Sequence, residues 1–547
     1  MVESSLISRL LPPSGVIAAL ILLHVIFSPV GEPFKNGDET RHVMTGVFFR
    51  DSLADWRASS ADPRGYAVGY YLQYPALGLL VWPPFFHCVE GVAMWLFGTS
   101  YLVGRLTLGG FAAVGAVYAY ALYRRTHDRF TSAVALAVLG ASPIVFDFTG
   151  SVLLEVPTLA MVLGAVFHFE KYLGGLRGRD AIFACAFAAL AVLTRFDGIL
   201  LIPFVLLRLG FARRWGLLLR RPVVFGIAGA ILLTAPYYFL TWKVYGSGIQ
   251  HAAVHGTGEG STSLFDPRNL YLYPSYIPAQ IGWAATLAAA VGLCHILARD
   301  RTRFGPHFPL IVATFLTFAP LAEPESRHAI YWMPALSLLA VHGVRWAASR
   351  VGRVEFSVCI LLVIAVVGES IAPFRWTEWR NHYICGTEDA ARYVLPRTPP
   401  ERPLMYEGQL NGAFIYAVRR NDPHRQHTVL RADKIIYSVF SDPHGGYDEY
   451  AKSDRDILDL LHRYDPAYVI VEEPQVFIRT AAGERLRRVL REHPEEYVLE
   501  GVVPFRTNYV SFAEAHIAIY RKVTANPDRV RVEELPVLLI GGSVKTK

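Results

Sequence analysis

The stretch Gly15-Val16-Ile17-Ala18-Ala19-Leu20-Ile21-Leu22-Leu23-His24-Val25-Ile26-Phe27-Ser28-Pro29-Val30 is soon followed by Asn36-Gly37-Asp38-Glu39-Thr40-Arg41-His42. An apolar run of this kind reads as a membrane span, and two adjacent carboxylates beside lipid are costly to hold there without a task. Similar apolar runs recur at Phe111–Leu122, Ala133–Val145, Val223–Ala235, Ile281–Ala298 and Val354–Val367. The chain is 53% hydrophobic and 18% charged, against about 25% charged in average soluble domains. Long continuous apolar runs predict a polytopic α-helical membrane protein, since a β-barrel would show short alternating segments.

Charge supplies the topology. Basic residues gather at Arg124/Arg125/Arg129, Lys171/Arg177/Arg179, Arg208/Arg213/Arg214/Arg220/Arg221, Arg299/Arg301/Arg303 and Arg345/Arg350/Arg353. The positive-inside rule puts these five clusters in the cytoplasm. An N-terminus inside puts Asp38 outside, so an odd number of crossings must connect it to Arg124. Two apolar segments intervene, Tyr74–Phe97 and Tyr101–Tyr123. The first carries Tyr74-Pro75, Trp82-Pro83-Pro84, His87 and Glu90, and reads as a broken, interfacial or re-entrant piece.

Eleven spans are therefore predicted, at about 15–31, 101–123, 130–148, 156–172, 181–194, 198–210, 223–242, 276–298, 307–321, 329–346 and 354–373. The transmembrane domain is residues 1–373, with a first outer loop over about 32–100. Residues 374–547 are richer in charge and read as a soluble α/β domain on the outer face. Its expected strands are Leu404–Glu407, Phe414–Val418, Tyr468–Glu472, Tyr497–Val503 and Ile517–Arg521, and its helices Asp454–Tyr464 and Gly483–His493. Nothing in it reads as catalytic; it suits docking or acceptor recruitment. With one cysteine (Cys385) it holds no internal disulfide, and no small-residue cleavage site follows the first span, which reads as uncleaved.

This parity brings Asp38, Glu39, Glu155, Arg195, Asp197, His251, His255, Asp266, Glu323, Glu325 and Arg327 to one face, opposite a uniformly basic one. Glu155 is a lone acid at a span boundary. It reads either as a helix N-terminal acid or as a carboxylate facing Asp38. Asp38 itself reads as the cap of a helix Glu39–Arg50. Arg195 and Arg327 read either as local partners of Asp197 and Glu325 or as phosphate ligands, for which the forked guanidinium is suited. His251 and His255 have the i, i+4 spacing of metal ligands but sit in a Gly-rich loop, and they are weak candidates. That loop lacks the flanking strand and helix of a nucleotide site, and no Walker motif is present. A transferase of this composition would take its activated donor from the membrane, and a polyprenyl-phosphate sugar fits. Its leaving phosphate needs charge stabilisation, and an acceptor hydroxyl needs a base.

Five segments together resemble a known family: Gly37-Asp38-Glu39-Thr40-Arg41; Tyr74-Pro75-Ala76-Leu77 continuing to Trp95–Ser100 and Gly104-Arg105-Leu106; Leu154-Glu155-Val156-Pro157; Leu193-Thr194-Arg195-Phe196-Asp197-Gly198; and Arg327-His328-Ala329-Ile330-Tyr331-Trp332. Over residues 1–350 they are similar to the GT-C membrane glycosyltransferases, in the branch of protein O-mannosyltransferases and aminoarabinose transferases. The resemblance implies an inverting transfer from a polyprenyl-phosphate sugar to a hydroxyl or phosphate of a lipid, glycan or protein acceptor, at the outer face of the plasma (inner) membrane. It implies a catalytic set of Asp38, Glu39 and Glu155, with Asp38 as base and Glu39 and Glu155 shaping acceptor or metal binding. It implies Arg195, Arg327 and His328 on the lipid phosphate, and Arg41, Tyr74, Asp197 and Lys243 as acceptor or donor contacts. It leaves a divalent cation open. Two departures stand out: Glu155 where relatives often carry Asp, and a longer, more polar stretch from Ser52 to Tyr71. The competing readings are a transporter or flippase for a lipid-linked or anionic solute, which should show repeated halves, and a polymer ligase of the outer leaflet.

Overall fold

The computed structural model describes residues 13–27, 37–245, 265–299, 305–321, 324–352, 354–371, 383–438, 448–476, 479–526, 537–539 and 542–544. Apolar helices fill the first two-thirds. Tyr101–Tyr123 and Arg221–Val244 are each long and apolar enough to cross a membrane alone. Local chemistry sets the starts: the Ser100 hydroxyl accepts the Val103 N–H and the Asp128 carboxylate accepts that of Thr131. After Ser142, Pro143 opens a new helix, so Arg129–Ala141 and Pro143–Thr149 meet at 61° where one span, 130–148, was expected.

The expected span 276–298 is also broken, into Ile277–Ile281 and Trp283–Arg299, with Gly282 in the left-handed region at φ +91°. Trp283–Arg299 then packs closely on Met333–Val351. A Cβ on Gly292 would lie 2.1 Å from the Leu339 carbonyl oxygen, so only glycine permits the approach.

The first outer loop is itself helical. Gly37–Ala54, Trp56–Ala61 and Pro63–Gln73 run to Tyr74, irregular chain follows, and Phe85–Phe97 completes the loop. At 13 residues, Phe85–Phe97 reaches about 20 Å and is short of a bilayer core. It crosses Gly37–Ala54 at Gly91, where a Cβ would stand 2.6 Å from that of Phe49.

The C-terminal part carries a five-stranded sheet. Its strands are β1 (Leu404–Glu407), β2 (Val429–Arg431), β3 (Tyr468–Glu473), β4 (Tyr497–Pro504) and β5 (His516–Lys522), in the order β2-β1-β3-β5-β4. The first three are parallel, and β5 pairs antiparallel with β3 and β4. Asp454–Tyr464 and Ala481–Glu492 form as expected, but Phe414–Val418 is not a strand. It lies inside the buried helix Asn411–Asn421. A short apolar run has no periodicity to separate a core strand from a core helix.

That helix docks on the first loop. Arg419 donates from Nε and Nη2 to the two Asp51 carboxylate oxygens at 2.9 and 2.7 Å, and Tyr70 donates to the same carboxylate at 2.6 Å. Gln73 donates to the carbonyls of Arg425 and His427. Val43, Met44, Tyr74, Tyr406 and Phe414 belong to one continuous buried core that joins loop and domain. Asp51→Ala strands a buried guanidinium, which costs about 3–5 kcal/mol. Hydrogen exchange should then rise together in Pro63–Gln73 and Asn411–Asn421; unchanged protection of both would refute the ion pair as the clamp.

Candidate functional site

Asp38 stands in the first turn of Gly37–Ala54, where the helix dipole favours a carboxylate. The helix starts at Gly37, two residues earlier than expected, so Asp38 lies inside the turn and is not its cap. Arg41, one turn on, approaches Asp38 at 3.4 Å, and Arg327 approaches it at 3.6 Å. Arg327 also lies 3.6 Å from Glu155 and pairs closely with Glu325. Glu155, the first residue of Glu155–Gly175, is buried and is in turn bound by Arg195.

Arg195 is presented by extended backbone between Gly178–Val192 and the short 3-10 helix Phe196–Leu200. Gly198 lets that turn fold back, since a Cβ there would sit 2.6 Å from the Val192 nitrogen. Asp197 is thereby returned to Arg195 at 2.8 Å, and Tyr331 donates to Asp197 at 3.0 Å. Segments 37–54, 150–155, 195–200 and 325–332, distant in sequence, thus meet at one cluster. Both local pairings foreseen from the sequence form, Arg195 with Asp197 and Arg327 with Glu325. Both arginines also converge on Glu155, a contact the sequence does not suggest.

The other expected residues divide. Glu39 is fully buried and accepts the Val152 N–H at 2.8 Å, which ties the first loop to the second. His328 is stacked on Phe318, with centroids 5.5 Å apart. Burial, then Arg195, lowers its pKa to about 3, so it enters the site as a neutral ring. Tyr74 is buried under Arg419, whose guanidinium lies 6.0 Å from the ring centre, and serves the loop–domain interface. Lys243 is exposed on the last turn of Arg221–Tyr245, and among the described residues it makes no ion pair. His251 and His255 lie outside the described residues.

Sequence reading missed a buried histidine pair. His42 Nδ1 and His87 Nε2 are 3.0 Å apart, and His87 Nδ1 is 3.1 Å from the Pro83 carbonyl. A carbonyl only accepts, so His87 donates from Nδ1 and receives the His42 Nδ1–H at Nε2. Burial, then Arg195, Arg327 and Arg41, holds His42 far below the usual histidine range and keeps it neutral. The available signal was its i+4 spacing from Asp38 on one helix. Glu90 was passed over as well: it is fully buried, and a Cβ on Gly46 or Gly104 would collide with its carboxylate. An apolar cavity of about 540 Å³ lies among Pro13–Phe27, Tyr101–Tyr123 and Glu155–Gly175, with Arg105 and His24 in its wall.

Glu155 is held by two arginines and Glu39 is bound to backbone. Among the described residues, the group with metal-ligand spacing is His493, Glu495 and Glu496, on the approach to β4.

Residues 82–242 match the model of the dolichyl-phosphate-mannose-protein mannosyltransferase family. No curated protein matches the sequence. Among solved structures, ArnT from Cupriavidus metallidurans bound to undecaprenyl phosphate is similar at TM-score 0.58 and 16% identity, covering 94% of this chain and 98% of that one. Its apo form gives 0.58 and 15%, covering 92% and 96%. The oligosaccharyltransferase of Archaeoglobus fulgidus gives 0.51 and 13%, covering 84% and 69%. The chain therefore shares the fold of ArnT and of the archaeal oligosaccharyltransferase, and it carries a sheet-containing C-terminal domain.

Glu155→Ala should be the most damaging change in the cluster, lowering stability by about 3–5 kcal/mol because two guanidinia lose a shared buried counter-ion. Arg327→Ala, at a more exposed position (side chain 21% exposed against 1% for Glu155), should cost roughly 1 kcal/mol. Thermal unfolding in detergent tests the order, and the reverse order would remove Glu155 from the centre.

Proposed function

We propose that this protein is a glycosyltransferase that moves a sugar from a polyprenyl-phosphate donor to an acceptor at the outer face of the plasma membrane. The observation that carries the reading is the placement of Arg327 equidistant from Asp38 and Glu155, at 3.6 Å from each. It sets a cation for a leaving phosphate beside a carboxylate able to act as base. The family match and the fold support the reaction class.

In the proposed reaction Asp38 takes the acceptor proton as the acceptor oxygen attacks the anomeric carbon. The bond from that carbon to the phosphate oxygen breaks on the opposite side, inverting the centre, and polyprenyl phosphate leaves as an anion facing Arg327. A phosphate acceptor would need no base and would use the same cation. Arg195, with Asp197 and Glu155 both bound, acts chiefly to hold Glu155 and through it Arg327. Neutral His42 and His328 leave the positive charge to the arginines.

The docking of the C-terminal domain supports the topology. A buried ion pair between Asp51 and Arg419 requires first loop and domain to share a membrane face. The eleven-span reading puts ten crossings between them, an even number, which satisfies this.

Asp38→Asn should lower transfer from a synthetic polyprenyl-phosphate sugar to a hydroxyl acceptor by about 10²–10⁴-fold while donor binding persists. Transfer by that variant at the unaltered rate would exclude Asp38 as base. Transport of the intact donor across sealed vesicles without cleavage would favour a flippase.

A further inference from the structure

Between the first loop and the C-terminal domain lies a second cavity, of about 230 Å³. Tyr71 and Pro75 line it from the loop, and Arg431, Lys434, Tyr450 and Tyr464 from the domain. Drug-sized ligands occupy roughly 300–1,000 Å³, so this space suits one ring or head group of a larger molecule.

Its two cations differ. Arg431 is fully engaged: it is paired bidentately with Asp433, with Nε at 2.9 Å, and it donates from Nη1 to the Pro75 carbonyl at 3.0 Å. Lys434 is half-buried and makes no hydrogen bond or ion pair with the described residues. Burial, then Arg431, pulls its amine down to about 8, against the weaker opposing pull of Asp433, and Arg41 adds to the lowering. An ammonium kept partly out of water beside a carboxylate already bound by Arg431 is costly, and a bound anion would offset that cost. The tyrosines supply flat apolar faces with hydroxyl edges, matching the face and rim of a pyranose. Arg41, which contacts Asp38 at 3.4 Å, also acts electrostatically on Lys434.

We propose that this cleft holds the acceptor: it takes a sugar ring bearing one anionic group, with Lys434 as counter-ion, while the acceptor's reacting oxygen extends toward Asp38. This rests on the transferase reading and gives its acceptor a chemical class. The anionic group has two sources, phosphate or carboxylate, and both place an oxygen anion against the amine.

The test uses the full-length protein in nanodiscs, with glucose 6-phosphate, glucuronate and glucose as probes followed by ligand-observed NMR. One or both charged sugars should bind about tenfold tighter than glucose, and the tighter of the two identifies the source. Lys434→Met should erase that preference and Lys434→Arg should retain it. Equal binding of all three sugars, or a preference that survives Lys434→Met in a protein whose thermal midpoint is unchanged, would overturn the proposal. Donor cleavage by the unaltered protein is measured separately: its absence alongside selective anion binding would sink the transferase reading and leave an anion-binding cleft.

Discussion

The arrangement depends on one buried carboxylate. Glu155 lies where two guanidinia meet, Arg195 bound directly and Arg327 at 3.6 Å. Taking a single charge of this kind out of water costs several kcal/mol unless partners surround it. Arg195 is presented from extended backbone just before the 3-10 helix Phe196–Leu200, and Arg327 from the first turn of the 3-10 helix Ser326–Trp332. Asp38 enters through Arg327. Without Glu155 the outer loops would carry two arginines with local acidic partners and nothing to draw them together.

A second constraint fixes the roof. The two bonds from Arg419 to Asp51 and the continuous core through Tyr74, Tyr406 and Phe414 fix the C-terminal domain on the first loop. Helix Asn411–Asn421 reaches Thr40, next to Glu39: a Cβ on Gly412 would stand 2.1 Å from the Thr40 hydroxyl oxygen. The long polar stretch from Ser52 to Tyr71, a departure from the family pattern, supplies this surface, with Asp55 and Tyr66 both meeting Arg425. The two departures from the resemblance are thus structural features with named partners.

The sequence made the cluster legible because lone charges beside apolar runs are costly and therefore informative. Asp38, Glu155, Arg195 and Arg327 were recoverable in this way, and they converge. Residues whose purpose depends on packing were not recoverable. His42 and His87 are 45 positions apart and find each other only when Phe85–Phe97 crosses Gly37–Ala54. Asp51 and Arg419 are separated by most of the chain. Phe414–Val418 carries the composition of a core strand, and its helical form follows from the surface it meets. Span limits were good where a cap marked them, as at Ser100, and poor where a glycine or proline inside an apolar run broke it, as at Ser142-Pro143 and Gly282.

The contrast between the two central acids bears on their roles. Glu155 is 1% exposed and held by a direct ion pair. Asp38 is 24% exposed, and its arginine contacts, at 3.4 and 3.6 Å, exceed the 2.7–2.9 Å of a tight charge-assisted hydrogen bond. A carboxylate locked by short bonds to guanidinium is a poor proton acceptor, because accepting a proton forfeits those bonds. A carboxylate flanked by guanidinia at longer range forfeits less on accepting a proton. The same logic separates the arginines. Arg195 is 7% exposed and bound by two acids, whereas Arg327 is 21% exposed and stands 3.6 Å from both Asp38 and Glu155. Glu155 and Arg195 thus form the buried half of the cluster, and Asp38 and Arg327 its more exposed half.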